Sequence, residues 1–198
     1  MAIQLKHRVL VVDDDSGVRN VTTLVLQVNN YDVSSAENGI AAIPLLKSTR
    51  PHVMISDLRM PEMDGYELMR LARRFFPAMA TIALSALERN EMPGRDLADA
   101  VFAKGDYSVP ELLECVSDMA GRYPLRQPSL KTAVSPSWIP QGDRRHFWTA
   151  CNECLTCFSL PLSQLTYSGM HRGYCPSCGQ RIRFRMQQVD PKVMTIAA

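Results

Sequence analysis

The sequence predicts an α/β protein with a doubly wound, five-stranded parallel sheet, followed by a small C-terminal β-rich module. Short apolar segments alternate with amphipathic ones over residues 8–121, which is typical of a parallel sheet covered by helices on both faces. Five of the six cysteines fall between Cys151 and Cys178. The charge divides as well: residues 1–123 carry 13 basic and 17 acidic residues (net −4), and residues 124–198 carry 9 and 3 (net +6).

Length and composition limit the classes of protein that this chain can be. It has 198 residues, 46% of them hydrophobic and 21% charged, which is typical of a globular protein with room for one average domain and a smaller one. No apolar run approaches the ~20 residues that cross a bilayer. Residues 1–12 also lack the apolar stretch and cleavage site of a signal peptide. We therefore expect a cytoplasmic protein with no membrane partner.

The strands of the predicted sheet are short apolar runs, each followed by polar residues. They are expected at 8–12, 31–36, 52–56, 81–85 and 101–103. The middle of the third run is apolar throughout, as expected for a strand buried on both faces.

Helical spacing of apolar residues fills the intervals between these strands. The helices are expected at 16–28, 41–47, 65–76 and 109–122. Pro44 should distort the second helix, Pro77 stops the third, and Pro110 suits the first turn of the fourth. Pro93-Gly94 interrupts the pattern over 88–100 and predicts an irregular segment there or a short helix near 96–100.

Composition also divides the chain into domains. We expect the sheet domain at 7–122, a linker at 123–145, a cysteine-rich module at 146–187 and a tail at 188–198. The linker prediction rests on four prolines among scattered polar residues: Pro124, Pro128, Pro136 and Pro140.

Charged and hydroxyl side chains follow four of the predicted strands. Asp13 and Asp14 end the first strand, Asp57 the third and Ser85 the fourth, and Lys104 follows the fifth. The carboxyl ends of parallel strands meet at one edge of the sheet, where ligands bind. Carboxylates that converge there favour Mg²⁺. A hydroxyl and a lysine beside them indicate a site for phosphoryl transfer.

These residues resemble the receiver domain of two-component response regulators. The resemblance covers about residues 7–122 and rests on segments in the family's order: Val9-Leu-Val-Val-Asp-Asp-Asp15, Asp57-Leu-Arg-Met-Pro-Glu-Met-Asp-Gly65, Leu84-Ser-Ala86 and Ala103-Lys104. It implies a flavodoxin-like fold and a phosphorelay function. The phosphoryl group would come from a histidine kinase or a histidine phosphotransfer protein, and phosphorylation would switch binding to an unknown effector partner.

The resemblance also implies a role for each site residue. Asp57 would be the phosphoacceptor and a Mg²⁺ ligand. Asp14 would bind Mg²⁺ directly, and Asp13 directly or through water. Ser85 would bind a phosphoryl oxygen, and Lys104 would form an ion pair with it.

Two further positions correspond to positions of known effect in the family, and two others depart from its usual sequence. Arg59 and Leu87 occupy positions that tune dephosphorylation in the family. Gly105 stands where the family usually has proline after the lysine. Val101 stands where the family usually has a switch aromatic, and Phe102 should face the other side of the strand.

Two alternatives to a phosphorylated receiver remain at this stage. One is a scaffold with the receiver fold that binds partners without phosphate. The other is a phosphatase, because Asp13-x-Asp15 after an apolar strand resembles the haloacid-dehalogenase nucleophile motif, with Asp13 as nucleophile and Asp15 as general acid. That family needs a second acidic pair after the lysine, which Gly105-Asp106 does not supply. We expect no enzymatic activity beyond the domain's own phosphotransfer and autodephosphorylation.

The cysteine-rich module has the spacing of a four-thiolate zinc site. Cys175 and Cys178 form one C-x2-C pair, and the other is Cys151 with Cys154 or, in an alternate register, Cys154 with Cys157. Both registers fit, and we favour the first. The module resembles zinc ribbons, with strands at 147–150 and 181–185.

Other features of the module leave its output open. His171 is a candidate substitute ligand, although an exposed histidine is the simpler reading. C-x2-C pairs also occur in thiol exchange. The strand at 181–185 alternates arginine with apolar residues, and its basic face is compatible with nucleic acid, an acidic partner or water alone.

Overall fold

The structure, a computed structural model, describes residues 6–86, 97–122, 134–140, 143, 145–165 and 169–186. The chain divides into two compact units, residues 1–131 and 132–198. Among the described residues, no helix has both the length and the apolar character that a bilayer crossing requires.

Five parallel strands form the sheet of the N-terminal unit. They are β1 (Arg8–Val12), β2 (Asp32–Ala36), β3 (Val53–Asp57), β4 (Ala80–Ser85) and β5 (Ala100–Ala103). Their order is β2-β1-β3-β4-β5, the doubly wound order in which the chain reverses direction beside β1. β3 and β4 are buried along their whole length. The predicted fold class is confirmed, and the strand order brings the ends of β1 and β3 together.

Four helices accompany the sheet among the described residues. They are α1 (Ser16–Val28), α2 (Gly39–Thr49), α3 (Gly65–Phe75) and α4 (Val109–Gly121). Each begins after a residue whose side chain accepts hydrogen bonds from the first turn: Asp15, Asn38, Asp64 and Ser108. Such caps satisfy backbone donors that a helix start leaves unpaired.

The core of this unit lies between the central strands and the helices. Val9, Val11, Ile55 and Ile82 pack in one buried cluster with residues of α1 and α4, and Leu26 is its fully buried contribution from α1. This cluster covers one face of the sheet. The residues that alternate with it, Leu10, Val12 and Met54, are also buried, so both faces of the sheet are covered.

The second helix continues through its proline. α2 runs without interruption from Gly39 to Thr49 through Pro44. Proline removes one hydrogen bond in a helix. In the turn that follows, the hydroxyl of Ser48 donates to the carbonyl of Pro44 at 3.0 Å, and the hydroxyl of Thr49 donates to the carbonyl of Leu45 at 2.8 Å. Burial of Ile43 and Leu46 holds the helix on the sheet.

The C-terminal unit contains two small antiparallel sheets. β6 (Ser137–Trp138), β7 (His146–Ala150) and β8 (Cys157–Pro161) form one, followed by a 3-10 helix at Leu162–Gln164. β9 (Gly169–Tyr174) and β10 (Arg181–Met186) form the other. The core is small and consists of Phe147, Ile182 and Phe184 around two of the cysteines.

The linker expected at 123–145 extends too far toward the C-terminus. Residues 134–140 belong to the second unit, where Trp138 pairs with Trp148 and the Ser135 backbone N–H bonds to the carbonyl of Arg183. Proline-rich sequence is compatible with this position because β6 is an edge strand. Residues 87–96, 123–133 and 187–198, with most of the expected irregular segment and the tail, lie outside the described residues.

Replacing Trp138 tests whether this segment is part of the second unit. Trp138 is 5% exposed and stacks on Trp148 at 6.3 Å, so W138A should destabilise the unit by about 3 kcal/mol. Both tryptophans of the chain lie in this unit, and Trp148 fluorescence during urea unfolding reports its stability alone. An unchanged midpoint would mean that 134–140 belongs to a linker after all.

Candidate functional site

Two aspartates and one lysine meet at the carboxyl edge of the sheet. β1 and β3 are paired with Val12 opposite Ser56, so the next residues, Asp13 and Asp57, lie side by side. The Nζ atom of Lys104 is 2.6 Å from Oδ2 of Asp57 and 2.9 Å from Oδ2 of Asp13. Three residues that the sequence placed at one edge are therefore in direct contact.

The electrostatics of this group follow from its burial. Asp13 is 1% exposed, and burial raises its pKa even though Lys104 acts in the opposite direction. Burial also lowers the pKa of Lys104, but its hydrogen bonds with Asp57 and Asp13 outweigh that effect, and its pKa is raised overall. The lysine is thus held charged beside two carboxylates that would otherwise repel each other.

Backbone and side-chain donors fix the acidic loop after β1. Oδ1 of Asp13 accepts a hydrogen bond from the backbone N–H of Asp15 at 2.9 Å. The guanidinium of Arg19 donates to the carbonyl of Asp13 at 2.6 Å and to that of Asp14 at 3.4 Å. This loop orientation leaves the Asp14 side chain exposed at the mouth of the site.

The three carboxylates fit a divalent cation. Asp13, Asp14 and Asp57 each offer an oxygen, and these oxygens lie within 4.8 Å of one another. Two of the residues are buried and one is exposed, which suits Mg²⁺, a cation that takes few carboxylates and keeps several waters. Oδ1 of Asp57 also accepts from the backbone N–H of Arg59 at 3.2 Å.

The remaining predicted site residues lie around this group. Ser85 ends β4 and is buried, and its carbonyl accepts the backbone N–H of Lys104 at 2.6 Å, which ties the ends of β4 and β5 together. Arg59 is exposed next to Asp57. Leu87 lies outside the described residues.

Gly65 is a site residue whose role sequence reasoning missed. A Cβ at this position would lie 2.0 Å from the carbonyl oxygen of Asp57, so only glycine lets the start of α3 approach the loop that begins at Asp57. Its N–H donates to the carbonyl of Leu58 at 3.1 Å. The Asp64-Gly65 step was visible in the sequence, but the close approach depends on the path of the whole loop.

Glycine after Lys104 has a specific structural reason. The backbone N–H of Asp106 donates to the carbonyl of Ala103 at 3.1 Å, and Gly105 has φ +88°. A turn with positive φ at its third residue is a type II turn, which favours glycine there. The loop that carries Lys104 is therefore a tight turn built without the proline usual in the family.

Two aromatic residues, Phe102 and Tyr107, lie near this loop. Phe102 packs on the core beside Tyr107, with ring centroids 5.3 Å apart, while Val101 is partly buried. Burial raises the pKa of Tyr107, and Lys104 acts to lower it. Tyr107 thus lies within the electrostatic reach of the site, and no sequence signal identified it.

The surroundings of Asp15 do not suit the role that the phosphatase alternative gives it. Its carboxylate caps α1, accepting from Gly17 at 2.7 Å and Val18 at 3.1 Å. These bonds lower its pKa, whereas a general acid needs a raised one. That alternative also leaves Asp57 and its ion pair with Lys104 without a function.

A second candidate site consists of four cysteines in the C-terminal unit. The sulfurs of Cys151, Cys154, Cys175 and Cys178 lie within 4.8 Å of one another. Cys151 is 3.7 Å from Cys178, and Cys154 is 3.5 Å from Cys175. Tetrahedral zinc with bonds of about 2.3 Å needs sulfurs about 3.8 Å apart, so these four fit a zinc ion.

The two cysteine pairs are held by the same backbone turn. In the first, Leu155 N–H bonds to Cys151 carbonyl at 3.0 Å, and Leu155 has φ +57°. In the second, Gly179 N–H bonds to Cys175 carbonyl at 2.9 Å, and Gly179 has φ +69°. Leucine therefore takes the left-handed position that glycine takes in the other pair, a cost of about 1–2 kcal/mol.

Position, and not the thiol pKa, separates the four grouped cysteines from Cys157. Burial raises the pKa of Cys151. At Cys178 the backbone hydrogen bond at Gln180 acts to lower the pKa, but burial and the neighbouring thiols raise it to about 12. Burial raises the pKa of Cys154, but hydrogen bonds with Thr156 and neighbouring sulfurs bring it down to about 6, which favours the thiolate that binds metals. Cys157, the alternate ligand, lies outside the group of four, and burial raises its pKa to about 12. His171 lies outside it too, with its ring stacked on Phe184 at 5.4 Å.

Comparison with known proteins agrees with the fold of the N-terminal unit. Residues 9–101 match the model of the response regulator receiver domain family. Over 108 residues the chain is 32% identical to the response regulator MprA of Mycobacterium sp. (strain KMS), and the same to MprA of Mycobacterium avium, covering 54% of this chain and 47% of each relative. The chain thus spans about half the length of the curated relatives it matches.

Solved structures give the same result. The response regulator TrrA of Thermotoga maritima, solved in complex with Mg²⁺-BeF, is 29% identical with a TM-score of 0.52, covering 57% of this chain and 98% of that one. The receiver domain of Francisella response regulator 1452 is 28% identical with a TM-score of 0.55, covering 59% and 98%. The N-terminal unit is therefore a response regulator receiver domain of the two-component type.

The turn after Lys104 predicts that the family's usual proline would be harmful here. Proline requires φ near −65°, whereas Gly105 has φ +88°. G105P should therefore destabilise the receiver unit by more than about 1 kcal/mol, measured by urea unfolding followed by far-ultraviolet circular dichroism.

Asparagine is the matched control at this position. It tolerates positive φ, and nothing lies within 4 Å of a Cβ at Gly105. G105N should remain close to the wild type. If G105P were as stable as G105N, the type II turn would be the wrong description of this loop.

Proposed function

We propose that this chain is a phosphorylated response regulator, with Asp57 as the phosphoacceptor. The observation that supports this most strongly is the triad in which Lys104 contacts both Asp57 and Asp13. A carboxylate beside a paired carboxylate and a fixed cation is suited to receive a phosphoryl group, because the cation offsets its charge.

The proposed reaction transfers a phosphoryl group from a phosphohistidine of a histidine kinase or phosphotransfer protein. An oxygen of Asp57 attacks phosphorus, a P–O bond forms as the P–N bond breaks, and imidazole leaves with the electron pair. Lys104 pairs with the added negative charge, and Ser85 donates to a phosphoryl oxygen. Asp13, Asp14 and Asp57 would hold Mg²⁺, which supplies positive charge for the transferring group. The Mg²⁺ in the TrrA complex supports this assignment.

Further parts of the proposal concern output and location. Phosphorylation would shift the receiver between two populations and so change what it binds. Arg59 and Leu87 would tune how fast the phosphoryl group is lost. We propose a cytoplasmic protein, since four of its cysteines converge as metal ligands do, and clustered C-x2-C pairs of this kind are typical of metal sites in reducing compartments. We propose no enzymatic activity beyond phosphotransfer and autodephosphorylation of the domain itself.

The C-terminal unit is proposed to be a zinc ribbon in which Cys151, Cys154, Cys175 and Cys178 bind one Zn²⁺. A core of three large apolar side chains is too small to hold such a unit alone. Metal binding would supply the missing folding free energy. This unit could then act as the effector or fix the location of the receiver.

Mass spectrometry of the intact protein tests the phosphoacceptor. With Mg²⁺ and acetyl phosphate or phosphoramidate, the wild type should gain one phosphoryl group and D57N none, because the amide cannot attack phosphorus. D32N is the matched control, since Asp32 starts β2 at the opposite end of the strands. If neither donor modified the wild type while the fold was intact, a phosphate-independent scaffold would be the better account.

Native mass spectrometry and chelator titration test the zinc site. The wild type should hold one zinc, and C154S should release it at a lower chelator concentration because one of four thiolates is missing. C157S, a cysteine replacement three residues away, should retain it. Equal loss of zinc in both variants would argue for the alternate register, in which Cys154 pairs with Cys157. A reduced wild type without metal would instead favour thiol exchange as the role of the cysteines.

A further inference from the structure

The exposed side of the β9–β10 sheet has an unusual composition. In this antiparallel pair, opposed residues project to the same face. One face consists of Tyr174 with Arg181, Arg172 with Arg183, and Met170 with Arg185. We call these six residues the outer face of β9–β10.

The opposite face is the core of the unit, which fixes the orientation of the outer one. Ile182 and Phe184 alternate with the arginines of β10 and are 1% and 2% exposed. The arginines of the outer face are all exposed, and Tyr174 is 66% exposed. β10 is held in place by β9 on one side. On the other side, the backbone N–H of Ser135 donates to the carbonyl of Arg183.

The charge on this face is of one sign. No aspartate or glutamate occurs between residues 169 and 186. Within the described part of the chain, none of the four arginines forms an ion pair. Arg172 stands directly opposite Arg183, and like charges in that position are destabilising. A bound anion would relieve this repulsion.

The spacing of the charges suits an extended ligand. Alternate residues along a strand lie about 6.8 Å apart, so Arg181, Arg183 and Arg185 form a row of cations rather than one compact pocket. The exposed ring of Tyr174 lies at one end of that row, opposite Arg181. A row of cations with an aromatic ring is how proteins bind single strands, through phosphates and base stacking.

We propose that the outer face of β9–β10 binds single-stranded nucleic acid. Arg181, Arg183 and Arg185 contact successive phosphates, Arg172 adds a contact beside Arg183, and Tyr174 stacks on one base. The ring favours this ligand over an acidic peptide, which has no flat base to stack. It also favours a single strand over a duplex, whose bases are already stacked on each other. This function is separate from phosphorylation of Asp57.

Fluorescence anisotropy with the full-length protein and added Zn²⁺ tests the proposal. The probes are fluorescein-labelled 12-mers of oligo(U) and oligo(dU), a length of about one such binding site, and a labelled duplex of the same length. Both single strands should bind better than the duplex, and a difference between them would report recognition of the 2′-hydroxyl. With four phosphate contacts, log K should fall with log salt with a slope of about −3.

Two variants and a matched control separate this face from general basicity. R183Q should weaken binding several-fold and reduce the magnitude of the slope by about 0.7. Y174L keeps an apolar side chain but removes the stacking ring, and should weaken binding about fivefold or more with the slope unchanged. R145Q makes the same charge change in the same unit at an exposed arginine next to β7, and should bind like the wild type. Tryptophan fluorescence confirms that each variant is folded.

Each other outcome would overturn the proposal. Tighter binding of the duplex would exclude the single-strand assignment. Competition by polyglutamate at equal charge concentration would indicate an unspecific polyanion surface. Equal loss in R145Q and R183Q would do the same, and no binding by the folded wild type would make the face simply solvated.

Discussion

The receiver unit depends on one ion-pair arrangement, the ammonium of Lys104 between Asp57 and Asp13. Burial and the neighbouring charge of Asp57 raise the pKa of Asp13, and the hydrogen bond and charge of Lys104 act in the opposite direction. The lysine reaches both aspartates because only β4 separates β5 from β3, and because a type II turn after β5 fixes its backbone. The strand order and the turn at Gly105 are therefore both required to place the lysine that offsets the charge of the site.

The two units solve the same stability problem by different means. The receiver buries β3 and β4 along their whole length and packs Leu26 of α1 and Val116 of α4 into the core, so its site can hold charges that cost free energy. The C-terminal unit has a core of three large side chains and draws on four convergent cysteines. The turn of the first cysteine pair also holds Leu155 in the left-handed region. Such backbone strain persists where the surrounding structure fixes the conformation, which is consistent with a cluster held together by all four cysteines.

Some errors of sequence reasoning share a physical cause. Proline was interpreted as a linker signal at 134–140, yet this segment contributes the edge strand β6 and the buried Trp138 to the second unit. Gly65 and Tyr107 were missed as site residues because their roles depend on close approach between loops distant in sequence. Local propensity cannot report such contacts. The equivalence of the two cysteine turns is also invisible in the sequence. One turn has Leu155 and the other Gly179, and only the backbone conformation shows that both residues have positive φ.

The sequence by itself determined the alternation of strands and helices, the acidic strand ends, the lysine and the two cysteine pairs, because each is a local pattern of residue type and spacing. Only the tertiary structure decided which of these residues meet. Strand order placed Asp13, Asp57 and Lys104 in contact, and the backbone turns selected Cys151 and Cys154 over the register with Cys157. Distances between segments far apart in the chain follow from packing, which no local pattern encodes.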